Sequence, residues 1–263
     1  MTERKAHPGK FVWFELVSRD ARQAQAFYAE VLGWKIRAFP MGNASYDMIF
    51  TGDALDTMIG GFGAPPPAGE ASRWVSYVSI DDVDVAVSAA VANGGRVLDP
   101  PSDLPGIARR ARIHDAQGAE LCLFKRTAGD PADVALAPEG AFFWNELHSP
   151  DPQAAVAFYE QVVGYTHRAM GGAGAEAYFA LSRDGVARGG VTGHLPPGVA
   201  PHWLPYVHTA DPDAALARAK QRGATIPVSA TDIPGIGRFG VIADPTGAVL
   251  AVMKPFPMEK PRS

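Results

Sequence analysis

Two glutamates and two histidines stand in strand-like runs where their side chains could do chemistry. In FFWNELH, residues 142–148, Glu146 and His148 alternate with apolar positions, and Glu15 holds the matching place in FVWFELV, residues 11–17. Successive side chains on a strand point to opposite faces, so Phe142, Trp144, Glu146 and His148 share one face, as do Phe11, Trp13 and Glu15. A carboxylate bounded by aromatic rings must be solvated, protonated or paired. With its pKa raised by those rings it could act as a general base, and His148 and His208 could act beside it or be ordinary hydrogen-bonded histidines. On the opposite face of that strand, Asn145 falls toward the helix side, an awkward place for an amide.

The elements that must position these groups are written twice. Residues 11–38 return as residues 142–169 at a constant offset of 131, with fourteen of the twenty-eight positions identical. WVSYVSIDDVDVAVSAAVANGG (74–95) returns as WLPYVHTADPDAALARAKQRGA (203–224), and DLPGIARRARIHDAQGAELCLFK (103–125) as DIPGIGRFGVIADPTGAVLAVMK (232–254). The chain therefore divides into domain 1 at 11–126, a linker at 127–140 rich in Pro, Gly and Asp, and domain 2 at 141–254. Within each half a strand leads through an Asp to a short helix, once at 11–32 and again at 74–93. Asp20 and Asp151 stand as N-caps, Pro152 suits the first helical position, and Gly33, Gly94, Gly164 and Gly223 stop the helices. Ala24, Phe27 and Val31 share a helix face that would dock on a sheet. Short strands are expected at 46–50, 57–62, 107–114 and 120–125, with DAQG and DPTG as turns. The whole reads as an α+β chain of four βαβββ units.

Composition excludes several classes. A formal charge of −4 with both signs scattered over 263 residues offers no basic stripe for nucleic acid. No apolar run reaches the ~20 residues of a membrane helix, and MTERKAHPGK lacks the apolar core of a signal peptide, so the expected location is cytoplasmic. The single cysteine, Cys122, excludes an internal disulfide and a cysteine-cluster zinc site. The glycine pairs at 60–61, 94–95, 171–172 and 189–190 make neither GxGxxG nor GxxxxGK[ST], and no GxSxG elbow occurs.

W-x-E-L followed by Asp, AFY and a Gly-aromatic pair (Gly33-Trp34, Gly164-Tyr165), with D-x-x-G turns at Asp115 and Asp244, resembles the vicinal oxygen chelate superfamily. That superfamily covers glyoxalase I, extradiol dioxygenases and bleomycin-resistance proteins, and the resemblance spans nearly the whole chain. It implies two glyoxalase-like domains whose curled mixed β-sheets enclose clefts, with a divalent metal held there in the enzymes. It also implies where the metal ligands would stand: Trp13 and Trp144, the Gly60–Gly61 and Gly189–Gly190 pairs, Val75 and Leu204, and Cys122 and Ala251. Only Cys122 among these could bind a metal, so no metal and no cofactor is expected.

In the same frame the cleft would be lined by Trp13, Glu15, Tyr77 and Cys122 in the first half. Trp144, Glu146, His148, Tyr206 and His208 would line it in the second, with Arg109 and Arg238 at the mouth. The expected partner is a small, partly aromatic organic molecule, sequestered as bleomycin-resistance-type relatives sequester drugs. Two enzymatic readings stay open: a metal-dependent lyase or dioxygenase using Glu146, His148 and His208 as off-pattern ligands, or metal-independent acid–base chemistry at Glu15 or Glu146. A monomer with internal pseudo-twofold symmetry suffices, and a homodimer is equally compatible.

Overall fold

The computed structural model describes residues 5–41 and 44–256. Four successive modules repeat one pattern. The first is β1 (Phe11–Val17), α1 (Ala21–Leu32), β2 (Lys35–Met41), β3 (Ala44–Phe50) and β4 (Met58–Phe62). The second is β5 (Arg73–Ser79), α2 (Val83–Ala92), β6 (Arg96–Leu104), β7 (Ala108–His114) and β8 (Glu120–Arg126). The third follows as β9 (Phe142–His148), α3 (Pro152–Val163), β10 (Thr166–Gly171), β11 (Tyr178–Arg183) and β12 (Val186–Thr192). The fourth is β13 (His202–His208), α4 (Pro212–Gln221), β14 (Thr225–Ile233), β15 (Gly237–Ala243) and β16 (Val249–Pro255). The α+β reading of four βαβββ units is therefore correct. The strands form two eight-stranded mixed sheets, ordered β2-β3-β4-β1-β5-β8-β7-β6 and β10-β11-β12-β9-β13-β16-β15-β14.

Local chemistry explains the helix limits. The Asp20 carboxylate accepts from Gln23 N and that of Asp151 from Ala154 N, both at 3.0 Å, which satisfies a backbone donor that the first turn leaves over. Gly33 and Gly164 end α1 and α3 at φ of 71° and 75°, a left-handed conformation that a Cβ would strain. Two further strands, β2 and β6, carry Pro40 and the pair Pro100-Pro101, which conceal their extended character in the sequence. Both lie at the edge of their sheet, where a missing N–H breaks no ladder, and β6 shifts register on either side of Asp99.

Contacts group the chain into two compact units, each assembled from both halves of the sequence. Residues 5–14, 75–134 and 144–204 form one, and residues 15–41, 44–74, 135–143 and 205–256 the other. In the first unit α2 and α3 bury Val83, Val87, Ala90, Ala155, Phe158 and Val162 in one apolar core. Each fully buried Val or Phe there contributes ~1.5–3 kcal/mol.

The motif residues that mark the repeat meet inside each unit. In the first, Trp203 Nε1 donates to Tyr159 Oη at 2.9 Å, and Tyr159 Oη–H donates to Asp115 Oδ2 at 3.0 Å. Asp115 belongs to the DAQG turn of the first half, and Tyr159 to the AFY of the second. In the other unit Trp74 Nε1 donates to Tyr28 Oη at 3.2 Å, and burial beside Asp244 raises the Tyr28 pKa. Burial likewise raises Tyr159, with Asp115 adding to it. Both hydroxyls therefore stay protonated, as donors to a buried carboxylate must.

Residues of the 127–140 segment are tied down at several points. Asp130 is buried and accepts from His7 N at 2.7 Å and Ser79 Oγ at 2.6 Å. Asp133 meets Arg188 at 2.6 Å and Lys10 at 3.2 Å, and Gly140 O accepts from Trp34 Nε1 at 2.7 Å. Composition alone marks such a segment as a linker; its ion pairs are visible only in three dimensions.

Candidate functional site

Along β9, Trp144, Glu146 and His148 are half-buried while Asn145 and Leu147 are fully buried, the alternation a one-sided strand requires. β12 runs parallel to β9 and places Gly190 opposite Glu146. Because Gly190 has no side chain, the ring of Tyr178 on β11 lies across it; a Cβ there would land on Tyr178 Oη. The hydroxyl donates to Glu146 and accepts from Trp144 Nε1 at 3.3 Å. Burial, and then the charge of Glu146, raise the Tyr178 pKa, so the phenol remains a donor.

On its other side Glu146 meets His148, with Nε2 3.1 Å from Oε1. The distance is that of an ion pair, although its angles fall outside hydrogen-bond geometry. His148 Nδ1 stands 2.7 Å from His194 O, and since a carbonyl only accepts, Nδ1 carries a proton. His202, at the start of β13, stacks parallel to His148 with centroids 5.1 Å apart and donates through Nδ1 to Ala200 O at 2.9 Å. Burial pushes its pKa down, opposed by the bond to Ala200 O and aided by the neighbouring His148, which favours the neutral ring. Trp144, Tyr178, Glu146, His148 and His202 thus form one cluster in the first unit.

The other unit holds a reduced copy. Tyr46 Oη donates to Glu15 Oε2 at 2.8 Å, and Gly61 lies beneath the Tyr46 ring as Gly190 lies beneath Tyr178. Val17 and Arg73 stand where the second half has His148 and His202, so neither imidazole is repeated at those positions.

The remaining sequence candidates are placed as follows. Tyr77 is buried, accepts from Arg110 Nη1 at 3.2 Å, and lies opposite Cys122, which is fully buried. Tyr206 is buried and stacks on Phe239 at 6.2 Å. His208 gives its Nδ1 proton to Ala137 O at 2.8 Å, in the unit that does not contain Glu146 and His148. Arg109 is bound by Asp84 at 2.6 and 2.7 Å and by Asp103 at 2.9 Å. Arg238 repeats this with Asp213 at 2.6 and 2.9 Å and Asp232 at 3.0 Å. Phe11 and Phe142 depart from the face assigned by strand parity: Phe11 packs on Trp203 at 5.0 Å, and Phe142 on Trp34 and Trp74 at 5.5 and 5.4 Å. They sit at the first turn of their strands, where the aromatic clusters of the two units capture them.

Tyr46, Tyr178 and His202 were missed by strand parity within β1 and β9 because they come from other strands. The signal for the two tyrosines was present in the glycine pairs at 60–61 and 189–190, each preceded by a tyrosine one strand earlier, at 46 and 178. A divalent metal does not fit the superfamily's usual ligand positions. Tryptophan, glycine, valine, leucine and alanine occupy seven of them, and the thiol of the eighth, Cys122, is enclosed in the core. Among the described residues no group of three or more His, Cys, Asp or Glu side chains is arranged to hold an ion.

Paired βαβββ modules in eight-stranded sheets, with this acid–aromatic cluster on the first strand, define a glyoxalase-like class of protein. A bleomycin resistance protein-like N-terminal family matches residues 10–52, and a glyoxalase-like domain matches residues 144–253. The chain belongs to the vicinal oxygen chelate superfamily, as its sequence motifs imply. A Mycobacterium bovis relative named "Putative glyoxylase CFP32" is 34% identical over 250 residues, covering 94% of this chain and 95% of that protein. The "Anthracycline biosynthesis protein DauV" of a Streptomyces species is 27% identical over 263 residues, with 94% of each covered. Among solved structures, a Mn(II)-bound glyoxalase from Novosphingobium aromaticivorans superposes with a TM-score of 0.66 at 18% identity, covering 98% of this chain and 86% of that one. A halotolerant catechol dioxygenase gives 0.62 at 15%, covering 95% and 87%. Such distant likenesses speak to the fold alone. Among the described residues no helix is long and apolar enough to cross a membrane.

Proposed function

We propose that this protein binds a small, flat, partly aromatic organic molecule, and does so without the divalent cation its superfamily commonly uses. The observation that carries the reading is the half-buried Trp144 face of β9, where Tyr178 and Glu146 stand in place of a metal-ligand set. Aromatic walls with a few fixed polar groups suit such a ligand. Two relatives are named for anthracycline biosynthesis, and anthracyclines are flat polycyclic aromatics. In this reading the halves 11–126 and 141–254 are duplicated domains joined by 127–140, a monomer suffices, and the protein works in the cytoplasm on a small-molecule partner.

Titration with 2-hydroxyanthraquinone, followed by tryptophan fluorescence, tests the binding: saturable quenching is expected, weakened in Trp144→Ala. Absence of any saturable change overturns it. Elemental analysis of protein purified without added metal should give far less than one divalent transition ion per chain, and a stoichiometric ion would count against the metal-free reading.

A second reading is favoured by the 3.1 Å approach of His148 Nε2 to Glu146, a carboxylate–imidazole pair suited to general acid–base catalysis. There Glu146→Gln, and Glu15→Gln in the other copy, would abolish turnover of a substrate while leaving binding and fold intact. Unchanged turnover in both would dismiss it.

A further inference from the structure

The proton inventory of the second-half cluster narrows the ligand. Tyr178 Oη–H is given to Glu146, and Trp144 Nε1–H to Tyr178. His148 Nδ1–H is given to His194 O, and His202 Nδ1–H to Ala200 O. His148 Nε2 stands 3.1 Å from Glu146 Oε1, outside hydrogen-bond geometry. These four protons are thus given to a cluster neighbour or to a nearby carbonyl. The ring of His194 is exposed and turned edge-on to His148 at 6.5 Å.

What the cluster offers is an acceptor. His202 is half-buried, its Nδ1 proton is fixed on Ala200 O, and its Nε2 therefore presents a lone pair. An ether or a quinone carbonyl, which only accepts, cannot bond to that lone pair; a hydroxyl can.

Resting on the proposed binding of a flat aromatic, we propose that the second-half site selects a phenol, whose hydroxyl donates to His202 Nε2 while its ring lies beside Trp144. The first-half copy lacks the selectivity, since Val17 and Arg73 replace His148 and His202.

Calorimetric titration of the full chain with 2-hydroxyanthraquinone and with 2-methoxyanthraquinone reads this directly. The hydroxyl compound should bind about tenfold more tightly than its ether, as one well-oriented hydrogen bond implies, with one hydroxyl-selective site per chain. His202→Phe should bring the two affinities together by weakening only the hydroxyl compound. If that variant does not fold, the comparison on the unaltered protein still decides the matter. Equal affinities for phenol and ether overturn the selectivity while leaving the binding function standing. Binding of neither compound overturns both, and two hydroxyl-selective sites per chain would overturn the assignment to His202.

Discussion

Replacing Tyr159 by Phe deletes one oxygen from the centre of the first unit. The hydroxyl bridges Trp203 Nε1 at 2.9 Å and Asp115 Oδ2 at 3.0 Å, and all three side chains are buried. Leaving the indole N–H without an acceptor costs ~1–3 kcal/mol, and a hydrogen bond to a charged group is worth ~1.5–3 kcal/mol. Asp115 keeps its donors from Gln117 N and Ala119 N, both at 2.9 Å, which limits the loss at the carboxylate. A net destabilisation of about 3 kcal/mol follows, a large fraction of the ~5–15 kcal/mol that holds a typical domain folded. Tyr28→Phe, at the other copy, should cost less: the Trp74 bond is longer at 3.2 Å, and Asp244 accepts additionally from Thr246 N and Oγ1, both at 2.7 Å.

The Tyr159 effect also has a pH signature. Burial raises the Asp115 pKa, while its hydrogen bonds, that of Tyr159 among them, oppose the rise. A carboxyl whose folded pKa exceeds its unfolded one binds protons more readily in the folded protein. Stability from this group therefore falls as pH climbs from the ordinary carboxylate value through the folded one. Removing Tyr159 lifts the folded pKa further, so the variant's deficit should be larger at pH 7 than at pH 4. Urea unfolding followed by tryptophan fluorescence and circular dichroism at both pH values measures it. A deficit below ~0.5 kcal/mol at pH 7, or one larger at pH 4, would refute the bridge as a source of stability.

Asp133 shows the opposite sign: Arg188, with Lys10, holds its carboxyl down to about 2. Its contribution is present above the ordinary carboxylate pKa and lost as pH falls toward 2. Because the side chain is 35% exposed, screening reduces the shift to roughly 1–2 kcal/mol, which Asp133→Asn should forfeit at pH 7 and not at pH 2. Gly190→Ala drives a methyl into Tyr178 Oη and should cost ~1–3 kcal/mol, measured by thermal or urea unfolding. Tyr178→Phe in the same chain should recover part of that loss, and an additive double variant would show that the hydroxyl is not what Gly190 accommodates. Asn145 is fully buried, with neither amide atom bonded to another protein group, and Phe14 is its counterpart in the first half. Asn145→Leu should therefore raise stability by about 1–2 kcal/mol, and a destabilised variant would point to a partner for the amide.

The duplication, the βαβββ order, the aspartate caps, the glycine stops and the superfamily were all legible in the sequence. Each rests on neighbours a few residues apart, where spacing alone fixes which groups can meet. Strand parity likewise sorted Trp144, Glu146 and His148 from Asn145 and Leu147. The edge strands β2 and β6 escaped because their prolines are tolerated only at an edge, and being at an edge is a property of the assembled sheet.

The tertiary structure alone decided the pairings between distant segments. Tyr159 meets Asp115 and Trp203 from separate modules, and Tyr178 reaches Glu146 across a strand that glycine leaves bare. Arg109 and Arg238 are bound to carboxylates 25 residues away, and His202 lies over His148 from 54 positions further along. Side-chain direction on one strand follows from a two-residue period. Which donor finds which acceptor depends on how separate strands register and curl, and that is set by packing the whole sheet against its helices.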